Sequence, residues 1–339
     1  MEPAVVSIIT PSYNRADVVR ETADSILSQS YPHWEWMIVD DGSTDDSWEV
    51  LTAIARTDDR IRLLRRERGQ KGACTCRNIG VTESRGSHLL FLDTDDVLSP
   101  HCLEQRVAAA AARPDCDFVI FPMLMFRMRV DDMNLLWNVD SDTDDLERIL
   151  CGDAICPGTG TLWRKDSFQR AGMWDESLLL WQDVELHLRS LLVGMTYAKR
   201  MDLPPDVYLR VSYVSISRTA FHSPEKIDSR IRVLNVTVDR IVARGLMERY
   251  RKGLRHMYGD IFFSAANGRQ AVLTGRLMTL EAGWGLFTSA ERRSFRAYAV
   301  MQLYRLYKFA ALKRYLNARI RSFVPQLPST IGRLPYKPA

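Results

Sequence analysis

Alternating strand-like and helix-like runs over the first 125 residues predict an α/β fold, a mostly parallel doubly wound sheet with flanking helices. Helical periodicity from Ser223 to about residue 322 predicts a helical C-terminal extension. The third observation is that carboxylates gather where the strand-like runs end, and open parallel sheets take their ligands beyond the carboxyl ends of their strands. At 339 residues, 46% hydrophobic and 26% charged, the chain can bury one large core or two ordinary ones.

The elements follow in order. Val5 to Thr10 is a β-branched strand stopped by Pro11, and Asp17 to Ser28 places Val18, Val19, Ala23, Ile26 and Leu27 at helical spacing. Trp34 to Val39 is a second strand, closed by Asp40-Asp41-Gly42-Ser43, a turn-forming cluster. A short helix over 47–56, a strand over 61–65 and a helix over about 74–84 lead to the fourth strand, 88–92, which runs straight into Asp93-Thr94-Asp95-Asp96. Residues 100–112 form a helix with five consecutive alanines, and 117–125 reads as one more apolar strand. Beyond it the pattern changes. Residues 131–148, with seven acidic side chains and one basic, read as an exposed excursion. Cys156 to Trp163 is a turn leading into a strand, Gly172-Met-Trp-Asp-Glu is a loop, 183–192 is a helix, and 208–216 is strand-like.

Charge is unevenly divided: the first 290 residues carry a net −6 and the last 49 a net +10. A basic tail on an acidic body does not suit nucleic acid as a partner, which would call for a broad basic face. The longest uncharged stretch is twelve residues, Pro3 to Asn14, against the roughly 20 that a spanning helix needs. No basic start precedes the first apolar run, so a secretory signal is not expected. The six cysteines lie between Cys74 and Cys156 without CxxC or His partners; they read as reduced packing thiols of a cytoplasmic protein, not as a zinc site. In the tail, Phe295, Ala299, Leu303, Leu306 and Ala310 recur on one helical face with basic residues around them. Two uses remain open: a helix packed on the acidic body, or peripheral contact with the inner membrane face that would suit a lipid-linked acceptor.

Dinucleotide, P-loop and nucleophile-elbow fingerprints are absent. What stands instead is two carboxylate clusters at strand ends. Such clusters repel each other unless a cation sits between them, and Mg²⁺ takes one or two carboxylates and completes its shell with phosphate oxygens. The same aspartates could equally be turn formers and caps.

Five motifs in order resemble family 2 glycosyltransferases: Ser7-Ile-Ile-Thr-Pro-Ser-Tyr-Asn-Arg15, Ile38-Val-Asp-Asp-Gly-Ser-Thr-Asp45, Gly72-x4-Arg77-Asn78-x-Gly80, Phe91-Leu-Asp-Thr-Asp-Asp96, and Gly172-Met-Trp-Asp-Glu-x5-Gln182-Asp-Val-Glu-Leu. The resemblance covers roughly residues 5–217 and implies a Rossmann-like fold of GT-A type. It implies a donor-binding half over 1–125 and an acceptor half over 126–222, with 223–339 a mainly helical basic region. It further implies an inverting, nucleotide-sugar-dependent hexosyltransferase assisted by Mg²⁺ or Mn²⁺. The donor would be a UDP-sugar and the acceptor a glycan or glycolipid hydroxyl, as in polysaccharide biosynthesis. By position, Asp41 would accept the nucleobase N–H; Thr10, Pro11 and Tyr13 would line the base pocket; Arg15 and Arg77 would approach the nucleotide. Asp93 would meet the ribose beside Thr94, Asp95 would ligate the metal with Asp93, and Asp96 would support them. Asp183 would be the general base, a role worth typically about 10²–10⁴-fold, although it also suits capping of its helix.

The chain departs from that pattern in three places. Gln182 stands where an acid usually precedes the base, and Tyr213 stands where many relatives carry a histidine, a place Tyr213 or His222 would fill. Third, no Gln-x-x-Arg-Trp motif accompanies the others, which favours single addition over processive synthesis. Of Trp163, Trp174 and Trp181 on the acceptor side, Trp181 is the candidate sugar contact. The alternative is a non-catalytic sugar-nucleotide or glycan-binding module on a transferase scaffold; the complete aspartate set speaks against it and Gln182 for it. A sugar nucleotidyltransferase would carry a Gly-rich basic loop where Pro11-Ser-Tyr-Asn stands.

Overall fold

Side-chain alternation in the first strand sets the layering. In the computed structural model, which describes residues 5–211, 220–325 and 329–336, β1 (Val6–Ser12) sends Val6 and Ile8 into one apolar cluster and Ile9 into another on the opposite face. Then follow α1 (Val19–Leu27), β2 (Trp34–Asp40), α2 (Ser47–Ala55), β3 (Ile61–Arg65), α3 (Ala73–Glu83) and β4 (His88–Phe91). β1 pairs in parallel with both β2 and β4, and β2 with β3, so their carboxyl ends share one edge. The strands are covered on both faces, as parallel sheets are: Trp36, Ile38 and Leu90 join the side of α1 and α2, and Met37, Leu89 and Phe91 the other.

Next come β5 (Val97–Leu98), α4 (Cys102–Ala111), β6 (Phe118–Ile120), β7 (Met123–Phe126), β8 (Leu135–Leu136), α5 (Asp145–Leu150), β9 (Thr161–Arg164), α6 (Lys165–Arg170), α7 (Gln182–Val193), β10 (Tyr197–Lys199) and β11 (Val207–Arg210). A seven-stranded sheet has the order β10-β6-β9-β4-β1-β2-β3, with β9 antiparallel to both neighbours. The single strand expected over 117–125 is split: β6 belongs to this sheet and β7 to a second one. Pro122 between them has no N–H to donate. The buried Asn138 amide meets the freed backbone, accepting from Met123 N (3.0 Å) and donating to Phe121 O (2.9 Å). The acidic excursion is only partly exposed. Asp144 caps α5, Arg148 is buried between Asp145 and Asp153, and Leu146, Ile149 and Leu150 enter the core.

The C-terminal part comprises α8 (Pro224–Ala243), α9 (Met247–Asn267), α10 (Ala271–Trp284), α11 (Ser289–Leu303), α12 (Ala310–Arg321) and β12 (Leu334–Pro335), which adds to the second sheet, β12-β8-β7-β11-β5. Ser223 with Pro224 starts α8, and a Thr288/Glu291 capping box starts α11. One apolar cluster runs from Ile9 and Phe91 through α7, α8 and α9 to Val324. The tail face read from the sequence needs correction. Phe295 is buried, but Leu303, Leu306 and Ala310 are exposed. The helix stops at Leu303, Arg305 takes a positive φ of 59°, and 306–308 form a 3₁₀ turn, so the helical phase is broken. The buried face is Phe295, Tyr298, Met301 and Gln302 in α11, then Leu316 and Ile320 in α12. All six cysteines are free and buried, and among the described residues no helix is long and apolar enough to cross a membrane.

Candidate functional site

The carboxyl ends of β1, β2 and β4 share one edge, and Arg77 links the turn after β4 to the start of α7. Asp41 N donates to Ser12 O (2.8 Å), Asn14 N to Ser43 Oγ (3.0 Å) and Arg15 N to Ser47 Oγ (2.7 Å), which ties the loop after β1 to the loop after β2. The two adjacent aspartates divide their work. Asp40 is a turn former, accepting from Gly42 N and Ser43 N at 3.0 Å each. Asp41, also buried, pairs with the Arg66 guanidinium. Tyr13 is half-buried with Lys71 Nζ 3.5 Å from its ring centroid, and Pro11 is half-buried beside it. Thr10 faces elsewhere: fully buried, its hydroxyl accepts from Trp36 Nε1 (2.8 Å), so its side chain lines the core.

The acidic turn after β4 is braced from beneath. Thr22 Oγ1 donates to Thr94 O and Asp96 O, and buried Asp96 accepts from Arg210 N (3.0 Å) and Thr159 Oγ1 (3.3 Å). Burial pushes the Asp96 carboxyl well above the ordinary range, with Asp95 and Asp93 adding to it. Asp95 is raised as well, by burial first and then by Asp93, against the opposing charges of Arg15 and Arg210. Asp93 is half exposed and bonds Arg77 Nη2 (2.7 Å).

Arg77, on α3, joins this turn to α7. Its Nη1 donates to Gln182 Oε1 (3.1 Å), its guanidinium carbon lies 4.9 Å from the Trp174 ring centroid, and its Nε is buried without a partner among the described residues. Burial works against its charge, yet Asp93, Cys74 and Asp183 together hold its pKa above the ordinary value. Asp183 is the second residue of α7. It is not the cap, a position held by Trp181 in the left-handed region (φ 63°) with no capping hydrogen bond. Its Oδ1 accepts from Val184 N (3.0 Å), and burial raises its pKa, opposed by that bond and by Arg77. The first-turn position also sets it at the positive end of the helix dipole.

The loop before α7 is held by contacts that the motifs alone did not disclose. Glu176 accepts from Asn78 (2.9 Å) and Thr75 (3.2 Å), and Asn78 Nδ2 also reaches Trp174 O (2.9 Å). Arg189 pairs with Glu185 and reaches the carbonyls of Ala171 and Met173. Gly172, at φ +93°, leaves room for it: a Cβ there would lie 2.9 Å from Arg189 Nη1. Trp163 and Trp174 are core residues, whereas Trp181 is half-buried with Arg230 5.6 Å from its ring centroid. His222 bonds Ser264 Oγ (2.6 Å), which Arg230 also contacts, so it lies beside α8 and α9. Tyr213 falls outside the described residues. Sequence reading missed the cations Arg66, Lys71 and Arg210. Only the three arginines clustered over 65–68 hinted at the first.

Among the described residues no three His, Cys, Asp or Glu side chains are grouped so as to hold a metal ion by themselves. The Asp93–Asp95 pair nonetheless fits a hard cation that shares its shell with a diphosphate, since a carboxylate raised by burial and by a like charge gains from a cation beside it.

Residues 7–172 match the family model described as glycosyl transferase family 2. TuaG of Bacillus subtilis (strain 168), a glycosyltransferase ascribed to teichuronic acid biosynthesis, is 41% identical over 103 residues, 30% of this chain and 40% of that protein. The Escherichia coli UDP-Glc:alpha-D-GlcNAc-diphosphoundecaprenol beta-1,3-glucosyltransferase WfgD is 37% identical over 108 residues, 32% of this chain and 42% of that protein. The matched stretch thus spans about two fifths of the length of these curated relatives. The crystal structure of S. aureus TarS 1-349 in complex with UDP-GlcNAc superposes with a TM-score of 0.67 at 18% identity, over 94% of this chain and 91% of that one. Mannosyltransferase PcManGT from Pyrobaculum calidifontis, in complex with GDP-Man and Mn²⁺, gives 0.50 at 17% identity over 93% and 85%. The fold is therefore of GT-A type with a helical C-terminal region.

Proposed function

From the match of residues 7–172 to glycosyl transferase family 2, we propose that this protein moves a sugar from a UDP-sugar donor onto a hydroxyl of a glycan or lipid-linked glycan, with inversion. The observation that carries the reading is the Arg77 bridge, which holds the acidic turn after β4 and the first turn of α7 around one place and leaves a buried N–H unmatched. The UDP-GlcNAc held by TarS and the UDP-Glc named for the E. coli relative support the donor class, and the lipid diphosphate in the latter's name supports the acceptor class.

In this reading residues 1–125 hold the donor and 126–222 the acceptor. Asp41, Pro11 and Tyr13 receive the base, Arg15 and Arg77 the diphosphate, and Asp93 the ribose beside Thr94. Asp95, with Asp93, would hold Mg²⁺ or Mn²⁺, which when bound supplies positive charge to a departing diphosphate. Arg77 supplies charge of the same sign from the protein itself. Asp183 takes the proton of the attacking hydroxyl, and its raised pKa makes it a stronger base than an exposed aspartate. Attack from the face opposite the diphosphate inverts the anomeric centre. Trp181 offers the acceptor an aromatic face, Gln182 keeps Arg77 in place, and Asp96 secures the acidic turn through Arg210 and Thr159. Thr10 has no part, because its hydroxyl is already engaged in the core. Six free, buried cysteines support a cytoplasmic setting, where thiols stay reduced.

The test is Asp183→Asn, assayed for donor turnover and, separately, for UDP binding by calorimetry. Turnover falls by about 10²–10⁴-fold with UDP affinity unchanged. Wild-type turnover in the variant would remove Asp183 as the base, and UDP binding without turnover in the wild type across donors and acceptors would leave a binding module.

A further inference from the structure

We propose that the hairpin formed by α11, the 306–308 turn and α12 is a docking face for a bilayer carrying anionic phospholipid. Sixteen large apolar side chains are exposed among the described residues, and seven of them fall between 300 and 315: Val300, Leu303, Tyr304, Leu306, Phe309, Leu312 and Tyr315. Tyr304, Phe309 and Tyr315 are 65–69% exposed, so they protrude and do not line a groove. Both helices have already used their inner faces, Phe295, Tyr298 and Met301 on one and Leu316 and Ile320 on the other, so these outer residues are surplus to the core. Exposed apolar side chains concentrated in one hairpin of a folded protein mark an interaction site.

Charge selects the occupant. From Arg292 to the end of the chain there are eleven Lys and Arg and no acidic residue. Arg305, Lys308, Lys313 and Arg314 lie within or beside the apolar ridge, all exposed, and form no ion pair among the described residues. Tyrosines with long basic side chains around an apolar ridge suit a lipid–water boundary, where rings and methylene stems sit among the chains and the charges reach headgroups. A second observation agrees. Beside the hairpin, a polar hollow of about 570 Å³ between α9, α11 and α12 is lined by Arg269, Lys313 and Arg321, with one carboxylate, Asp260, that already meets Arg230. Apolar side chains next to a cationic hollow match an amphiphile with an anionic head. The seven side chains replace the face that periodicity alone had suggested, because the buried stripe of α11 runs through Tyr298 and Gln302 and passes Leu303 by, and the break at Arg305 puts Leu306 out of phase.

Flotation of the full chain with vesicles tests this independently of sugar transfer, since it needs no donor. With vesicles of phosphatidylcholine and phosphatidylglycerol in equal parts the protein floats, and with phosphatidylcholine alone binding falls at least about tenfold. Tyr304→Ser/Phe309→Ser/Tyr315→Ser lowers binding to anionic vesicles about tenfold or more. Arg305→Gln/Lys308→Gln/Lys313→Gln/Arg314→Gln erases the preference for anionic vesicles. Both variants are to keep the wild-type melting temperature and donor hydrolysis; single Phe309→Ser serves if the triple variant does not fold. Wild type left unbound by anionic vesicles, or variants that float as well as wild type, would overturn the proposal. So would a concentration-dependent dimer that Phe309→Ser makes monomeric without any vesicle, which would give this face to a second copy of the chain. Loss of donor hydrolysis with flotation intact would instead count against the transferase reading alone.

Discussion

Two buried arginines in different parts of the molecule make opposite use of the same group. Arg106, on α4, has each of its three guanidinium nitrogens matched: Asp206 receives two bonds (2.9 and 2.7 Å), and the carbonyls of Thr159 and Thr161 receive two more. Both members of that pair are almost without solvent contact, and they brace α4 against the segment entering β11. Arg77, at the strand tips, instead pairs with an Asp93 that is 49% exposed and leaves its Nε unmatched. Burying charge is costly, so a complete set of partners marks Arg106 as a brace, whereas Arg77, at the strand tips, faces a carboxylate that is still open to solvent.

The largest effect that would break this contrast belongs to the brace. Asp206→Ala leaves the Arg106 charge buried and uncompensated and should cost about 3–5 kcal/mol in urea unfolding with the slope unchanged. A loss under about 1 kcal/mol would deny Arg106 its structural role. His187, one turn past Asp183 and buried against Cys156, is next. Burial lowers its pKa to about 4 from an ordinary 6.5. The folded value lies below the unfolded one, so its contribution is present above pH 6.5 and is lost as pH falls through about 4, a change on the order of 3 kcal/mol. Asp95, Asp96 and Asp183, all raised, act in the opposite sense at acid pH. The measure is therefore the difference in unfolding free energy between wild type and His187→Gln across this range; a constant difference would refute it. Arg77→Gln sharpens the contrast from the other side: stability stays within about 1 kcal/mol while turnover falls about a hundredfold. A severe stability loss with turnover per folded molecule intact would make Arg77 a second brace. The smallest effect is a shift in the pH profile. Because burial raises Asp183, the acid limb of turnover lies above the ordinary carboxylate range, and Arg77→Gln moves it higher still by removing an opposing charge. An unchanged limb in that variant would separate the two residues.

Much of this architecture was legible residue by residue. The third strand was read at its observed limits, 61–65, and the carboxylates after β2 and β4 stand at one edge because parallel strands with helical crossovers bring their carboxyl ends together. Equal-looking residues were not legible. Asp40 and Asp41 are adjacent and chemically identical, yet one closes a turn and the other faces Arg66. Thr10 alternates inward to Trp36, and the strand over 117–125 breaks at Pro122, where Asn138 offers an alternative to ladder pairing. In the tail, spacing placed Leu303 and Leu306 with Phe295, but the buried stripe of α11 runs through Tyr298 and Gln302 and not Leu303, and the left-handed Arg305 puts Leu306 out of phase.

Periodicity, turn chemistry and the order of motifs act over a few residues, so the amino-acid order alone determined β1 to β4, the helices between them and the edge where the acidic loops lie. Partner choice acts over a hundred residues and is settled by packing. Folding alone decided that Arg77 meets Gln182, that Arg210 grips the turn holding Asp95 and Asp96, and that Arg106 is sealed by Asp206. It likewise decided which side of the last hairpin faces the core and which apolar residues remain outside. A guanidinium carries the same charge wherever it stands, and only its surroundings make it a brace or a binding group.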